Sequence, residues 1–304
     1  MDTSAGALSS AVRHIAPVFQ PVLWLDDLSV AGYEALSRGP ESSAFALPLD
    51  LLAAARVYGV VDELESAMTC AAIDAVLEQP WDRSVALFAN LEPGAMAAPP
   101  LPAAVQALER AEADGIRVVA EITERSLLAH PAALIASSTA IRSRGWGVAM
   151  DDAGAGGGDE TLTLLWVLQP DVVKLDMSIL HGAFDARSAR VSATVRDYCD
   201  RTGALMVCEG VETAAHEARA RALGVDLVQG FRYAMPATRP ASIPPTTRPV
   251  DLLTATPDEP TSFIQRTADQ PVDVLTGSDV EAIAAELLSR LLNGAPSTIF
   301  FGLG

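Results

Sequence analysis

Two aspartates stand side by side in "AMDDAGAG" (149–156), at the end of an apolar run and ahead of a glycine-rich stretch. Adjacent carboxylates repel, so an unpaired doublet has no structural merit; something must reward holding Asp151 and Asp152 together. Other oxygen-bearing side chains occupy the same kind of place. Glu34 lies in "VAGYEAL", Asn90 in "VALFANL", and Glu121 in "VVAEITE" with Glu124 just beyond. Lys174 and Asp176 lie in "VVKLD", Glu209 and Glu212 in "LMVCEGVE", and Gln229 in "DLVQG". Each sits at or near the carboxyl end of an apolar run. A single acidic residue there reads as a helix cap or an ion-pair partner. Strand ends giving Glu, Asn, Glu, Asp-Asp, Lys and Glu in turn read as a site. Oxygen donors with one lysine among them are wrong for zinc, which prefers His and Cys, and right for Mg²⁺ or Mn²⁺. Two divalent cations ~3.5–4 Å apart would reconcile the doublet, clamping the attacking and leaving oxygens of a phosphoryl displacement. The histidines, at 14, 130, 181 and 216, lie outside these runs, and no G-x-S-x-G is present, which excludes a Ser/His/Asp hydrolase.

Such residues need a frame that gathers strand ends. From about residue 16 to 235, short apolar runs alternate with Ala/Leu-rich helical patterns over 48–78, 102–113, 131–144, 160–168, 187–202 and 213–223. Repeated β–α alternation implies a mainly parallel sheet with helices outside. The number of units suits a TIM-like (β/α) barrel, whose strand ends converge on one mouth. The first two runs, joined by "LDDLS", read as a hairpin and bring one antiparallel strand into the barrel. The loop "GAGGGD" after the doublet lacks the spacing of a dinucleotide fingerprint.

Bulk properties bound the partners. The chain has 304 residues, half of them apolar, and a net charge of −18. That acidity argues against a nucleic-acid backbone as partner, DNA included, and an anionic substrate would need cations brought to the site. Three scattered cysteines, Cys70, Cys199 and Cys208, without a C-x-x-C, suggest a reduced cytoplasmic setting. No secretory leader and no membrane span is expected.

The ordered set of motifs resembles the EAL domain family, phosphodiesterases of cyclic di-GMP. "YEALSR" is similar to the signature segment, "FANLEP" to the asparagine strand, "AEITERSLL" to E-x-T-E, and "MDDAGAG" to D-D-F-G-T-G. "PDVVKLD" is similar to the lysine strand and "CEGVET" to A-E-G-V-E, while "VQGF" and "FQPV" also fit. The match covers roughly residues 16–240. It implies Glu34, Asn90, Glu121, Asp151, Asp152 and Glu209 as ligands of two Mg²⁺ or Mn²⁺ ions. It implies Lys174, Glu34 and Asp152 as the catalytic set, with Lys174 orienting or deprotonating the attacking water. Gln20, Leu36, Arg38, Gln229 and Pro236 are implied on the substrate side, and Glu124 and Glu212 in support of the loops. The implied reaction is hydrolysis of cyclic di-GMP to linear 5′-pGpG, with a homodimer contact near the loop after the doublet. The chain departs from the pattern at Ala153 and Ala155, where Phe and Thr are usual. It departs again at Gly39-Pro40, where Trp follows the arginine, at Ser37 in place of Leu, and at Cys208 in place of Ala. A cyclic di-GMP receptor that binds without cutting, and an unrelated metal-dependent barrel, are the competing readings.

The expected layout is a lead over 1–15, a barrel over 16–240, a Pro-rich linker over 241–262 and an extension over 263–304. In that extension "SDVEAIAAELLSRLLNG" reads as an amphipathic helix with a capping box at Ser278 and Glu281.

Overall fold

The computed structural model describes residues 3–41, 43–79, 81–90, 102–124, 138–155 and 165–238. The linker and extension expected over 241–304 lie outside them. Eight strands close into a barrel in sequence order: β1 (Ala16–Trp24), β2 (Val30–Arg38), β3 (Ala86–Asn90), β4 (Arg117–Thr123), β5 (Gly147–Ala153), β6 (Val172–Leu175), β7 (Leu205–Cys208) and β8 (Leu227–Val228). β1 runs antiparallel to both β2 and β8, and every other pairing is parallel. The expected hairpin is therefore the device that reverses one strand, and closure leaves no exposed sheet edge.

Helices α1 (Thr3–Arg13), α2 (Pro48–Tyr58), α3 (Val61–Leu77), α4 (Pro102–Ala113), α5 (Leu165–Leu168), α6 (Ser178–His181), α7 (Ala186–Thr202) and α8 (Ala214–Ala222) surround the strands among the described residues. The single helical stretch expected over 48–78 is two helices. Gly59 takes a left-handed conformation that closes α2, and α3 starts two residues later. The short α6 was not foreseen; four residues carry too little periodicity to announce it. No described helix is long and apolar enough to cross a membrane.

Alternation along the strands makes two cores. One set of side chains, with Leu87, Ile122, Met150 and Leu175 among them, faces outward and packs under Ile73, Val76, Val191 and Val195 of the helices. The other set points along the barrel axis: Val22, Ala31, Ala86, Phe88, Val119, Ala149, Val172, Val207 and Leu227, all fully buried. This plug closes the lower half of the barrel. Each fully buried Val, Leu or Phe contributes about 1.5–3 kcal/mol. A third cluster joins Leu8 and Ala11 of α1 to Leu51, Ala55 and Leu64.

Candidate active site

Period-two geometry places the site one pleat above the plug. Asn90 follows Phe88 by two residues, Glu121 follows Val119, and Asp151 follows Ala149. Lys174 follows Val172, Glu209 follows Val207, and Gln229 follows Leu227. On the reversed strand the step is backward, from Val22 to Gln20. Each polar side chain therefore shares the inward face of its strand with an apolar one below it. The parallel registers stagger them around the barrel: Asn90 pairs with Glu121, whereas Glu34 lies beside Phe88, Glu121 beside Ala149 and Lys174 beside Val207 of the plug. Gln20 pairs with Glu34 across the hairpin.

Lys174 is at the centre and fully buried. Its Nζ lies 2.6 Å from Glu121 Oε1, 2.6 Å from Glu209 Oε1, 3.1 Å from Asp151 Oδ1 and 3.4 Å from Glu34 Oε2. It is also the chain's only lysine; every other basic side chain among the 21 Lys and Arg is arginine. A compact ammonium fits among converging carboxylates where a planar guanidinium would not, and it can give up a proton. Burial alone would disfavour the charge on Lys174, but Asp151, Glu121, Glu209 and Glu34 outweigh it and hold its pKa well above the ordinary value. Burial, then the charge of Glu34, pushes Glu121 well up against the pull of Lys174. Burial raises Glu209 well above its ordinary value too, with Asp151 and Glu34 adding to it. Asp152 is raised to about 6 by burial, then by Asp151 and Asp176.

One ammonium has three N–H bonds for four carboxylates. Nζ reaches Glu121 Oε1 and Asp151 Oδ1, but Glu121 Oε2 is buried without a hydrogen-bond donor among the described residues. A carboxylate oxygen left without a directional donor suits a hard cation, which binds oxygen without needing an N–H. Asp151, Asp152 and Glu209 offer oxygens all within 4.8 Å of one another, the spacing of a shared ion. The donor set is oxygen throughout, consistent with Mg²⁺, Mn²⁺ or Ca²⁺ and not with zinc.

The remaining expected residues are placed as follows. Gln229 Nε2 donates to Glu34 Oε2 (2.6 Å) and to Gln20 Oε1 (3.2 Å), and Gln20 Nε2 donates to the Ala234 carbonyl (3.2 Å). These three side chains form one chain of hydrogen bonds that orients Glu34. Glu124 Oε2 accepts from the Gly154 N–H (2.9 Å), directly after the aspartates. Leu36 and Arg38 continue the inward face of β2 toward the rim. The Arg38 guanidinium donates to the Ser37 carbonyl (2.9 Å). The neighbouring Gly39 N–H donates to the Ala46 carbonyl, so residues 43–46 fold against the place where the resemblance puts a tryptophan. Pro236 stands just before Ala237, which pairs with Phe19 of β1. Glu212 is exposed, with its backbone N–H 3.4 Å from His216 Nδ1. Cys208 faces away from Glu209 into the helix–sheet core, and burial, then the charge of Glu209, lifts its thiol to about 12. That reads as packing, not as a reactive sulfur.

Sequence reasoning missed two contacts at this rim. His181 Nε2 lies 2.6 Å from the Gly210 carbonyl, beside Glu209, and Arg187 donates to the Gly154 carbonyl. Neither has a local signature, since each joins loops about thirty residues apart.

A closed (β/α) barrel with a ring of acidic side chains at the carboxyl ends of its strands is the class of architecture that the fold and site define. Residues 5–236 match the model of the EAL domain, and the chain belongs to that family. It is 29% identical over 226 residues to the cyclic di-GMP phosphodiesterase RocR of Pseudomonas aeruginosa, covering 72% of this chain and 56% of RocR. The chain thus spans about half the length of that relative. Among solved structures it resembles BlrP1 of Klebsiella pneumoniae in complex with cyclic di-GMP and calcium or manganese. That likeness has a TM-score of 0.64 and 26% identity, and covers 73% of this chain and 56% of BlrP1. The FimX EAL domain of Pseudomonas aeruginosa, bound to cyclic di-GMP, shares the fold at a TM-score of 0.66 and 18% identity. That match covers 78% of this chain and 97% of that domain.

Proposed function

We propose that the chain hydrolyses one phosphodiester bond of cyclic di-GMP, giving linear 5′-pGpG, with two divalent cations, Mg²⁺ or Mn²⁺, at the barrel mouth. The observation that carries this reading is the convergence of Glu34, Glu121, Asp151 and Glu209 on one buried point, with Asp152 alongside. Five carboxylates against one ammonium leave the charge that two divalent cations would neutralise. RocR, named a cyclic di-GMP phosphodiesterase, and the BlrP1 complexes support the choice of substrate.

The cations would be held by Glu34, Asn90, Glu121, Asp151, Asp152 and Glu209; when bound, such a pair activates water and offsets charge on phosphoryl oxygens. The chain's own groups do the rest. Gln229 and Gln20 fix the Glu34 carboxylate. Lys174, protonated among four carboxylates, orients the attacking water; to act as its base it would first release that proton to solvent, which bound cations would favour by neutralising the carboxylates that hold it. Leu36, Arg38 and Pro236 wall the substrate side, with Arg38 supplying positive charge toward a phosphate. Glu124 steadies the turn that presents Asp152. A cytoplasmic setting, in which the three free cysteines stay reduced, belongs to the same proposal.

Incubation of the pure protein with cyclic di-GMP and Mg²⁺ or Mn²⁺, followed by chromatography of the nucleotides, tests it. Linear pGpG is expected, and a chelator should abolish it. Tight binding of cyclic di-GMP with no product in either metal would replace the phosphodiesterase with a receptor.

A further inference from the structure

Gly154 is the second residue after the aspartate doublet, and both of its peptide groups are held. Its N–H donates to Glu124 Oε2 (2.9 Å), and its carbonyl accepts from Arg187 Nη2 (2.7 Å). The two partners come from opposite sides of the loop, Glu124 from the end of β4 and Arg187 from the first turn of α7. The turn itself is costly. Asp152 has φ 57°, a left-handed conformation uncommon for a residue with a side chain, and Gly154 has φ 94°. A Cβ on Gly154 would lie 3.1 Å from Val191 Cγ1 and 3.4 Å from Ile179 Cδ1, so the backbone is pressed against α7 and α6. Within the turn, the Ala155 N–H donates to the Asp152 carbonyl, and the Asp176 N–H donates to the Ala153 carbonyl. A strained turn persists only where its surroundings over-determine it. Small Ala153, fully buried, offers little side-chain packing toward that end. Polar clamps on the next residue take its place.

The start of α7 is built to present the arginine. Asp185 caps it, accepting from the Ser188 N–H (2.8 Å) and the Ser188 hydroxyl (3.0 Å), which fixes where the first turn begins. Arg187 is half-buried on that turn.

We propose that Arg187 is a positioning residue for Asp152. It acts through the Gly154 carbonyl, holding the turn in the one arrangement that points the Asp152 carboxylate at Asp151 and Glu209. The proposal rests on the reading of Asp152 as a cation ligand. Arg187 reaches the turn through the Gly154 carbonyl, a backbone group outside the carboxylate cluster. Its effect is therefore that of an outer partner, whose loss typically costs 10–100-fold in metal affinity or activity.

The test uses Arg187→Ala, Arg187→Gln and Arg187→Lys in the full chain. Mn²⁺ affinity is read from the paramagnetic resonance signal of free Mn²⁺, and hydrolysis of cyclic di-GMP by steady-state kinetics. Arg187→Ala is expected to weaken Mn²⁺ binding about 10-fold and lower kcat about 10-fold, with KM little changed. Arg187→Lys, a point donor that reaches the same carbonyl, is expected to recover part of both. Arg187→Gln, which keeps an N–H but no charge, falls between them and serves if the alanine variant folds poorly. Amide exchange should quicken in residues 150–155 and stay unchanged in β3 and β4. Wild-type Mn²⁺ affinity and wild-type exchange in Arg187→Ala would overturn the proposal even if the melting temperature fell. Weakened Mn²⁺ binding in the variants of a protein that hydrolyses nothing would uphold the positioning role and discard the phosphodiesterase. Full hydrolysis by every variant would do the reverse.

Discussion

Below the mouth, nine side chains from the strands fill the barrel axis, and none carries charge; one pleat above, the same strands present Glu34, Asn90, Glu121, Asp151, Lys174, Glu209 and Gln229. The backbone is common to both layers, although Asn90 and Glu209 at the mouth are only partly buried. Only side-chain chemistry changes, and with it what each layer is for. The plug is stable by itself, because apolar groups removed from water need no partner. The upper layer is not. Four carboxylates share one ammonium, two of them pushed far up in pKa, and Glu121 Oε2 stands without a donor among the described residues. The rigid lower layer holds the frustrated upper one in place, the usual bargain of a preorganised site.

Mutations that treat the layers differently sharpen this contrast. The largest effect is expected from Lys174→Met, which removes the common counter-charge. Breaking a buried ion pair costs about 3–5 kcal/mol. Denaturant melts without metal should show a loss of that order, Mn²⁺ should restore part of it, and turnover should vanish. Phe88→Ala opens a cavity in the plug and should cost about 3–4 kcal/mol. Here the loss should be the same with and without Mn²⁺, which the same melts check. Glu121→Gln removes a fully buried charge whose pKa is raised by burial and by Glu34 despite the pull of Lys174. It should leave the metal-free melting temperature unchanged or raised while lowering kcat/KM by about 100-fold or more, equivalent to about 2.7 kcal/mol.

Asp152 gives the smallest and most pH-dependent effect. Its carboxyl titrates near 6 in the fold against 3.8 ordinarily. Between those values the folded protein binds more protons than the unfolded chain, so stability falls as pH rises through the window and the full penalty applies above about pH 6. Asp152→Asn should therefore melt about 2 °C higher than the metal-free parent at pH 7.5, with the gap closing near pH 4, by calorimetry.

Much of this was legible in the sequence because strand residues alternate. A polar residue two places after a buried one, at the end of an apolar run, has only one place to go in a closed barrel. Glu121 after Val119 and Lys174 after Val172 are such pairs, and the hairpin at "LDDLS" was readable from its turn residues. What could not be read is what depends on contacts between distant loops. Arg187 looks like any helix arginine until α7 is folded over Gly154. The break between α2 and α3 hangs on one left-handed glycine in an Ala-rich stretch. β8 is regular over only two residues, although the Gln229 N–H still donates to the Cys208 carbonyl beyond it. Glu212 sits in a segment similar to the family's and yet is exposed. Local resemblance does not dictate which way a loop side chain turns. The singularity of Lys174 was available from the start: arginine serves at every other basic position, and lysine appears where a compact, titratable charge is needed.

That singularity also supplies the most direct test. Protein grown with ¹³Cε-lysine carries one labelled lysine side chain, at the centre of the upper layer, and its resonance can be followed as Mg²⁺ is added. If the layer is a cation site, the single Lys174 signal should shift and saturate, and EDTA should return it to its starting position. A signal unmoved at millimolar Mg²⁺ and Mn²⁺ would contradict the account, because no cation could join four carboxylates around Nζ without changing the field there.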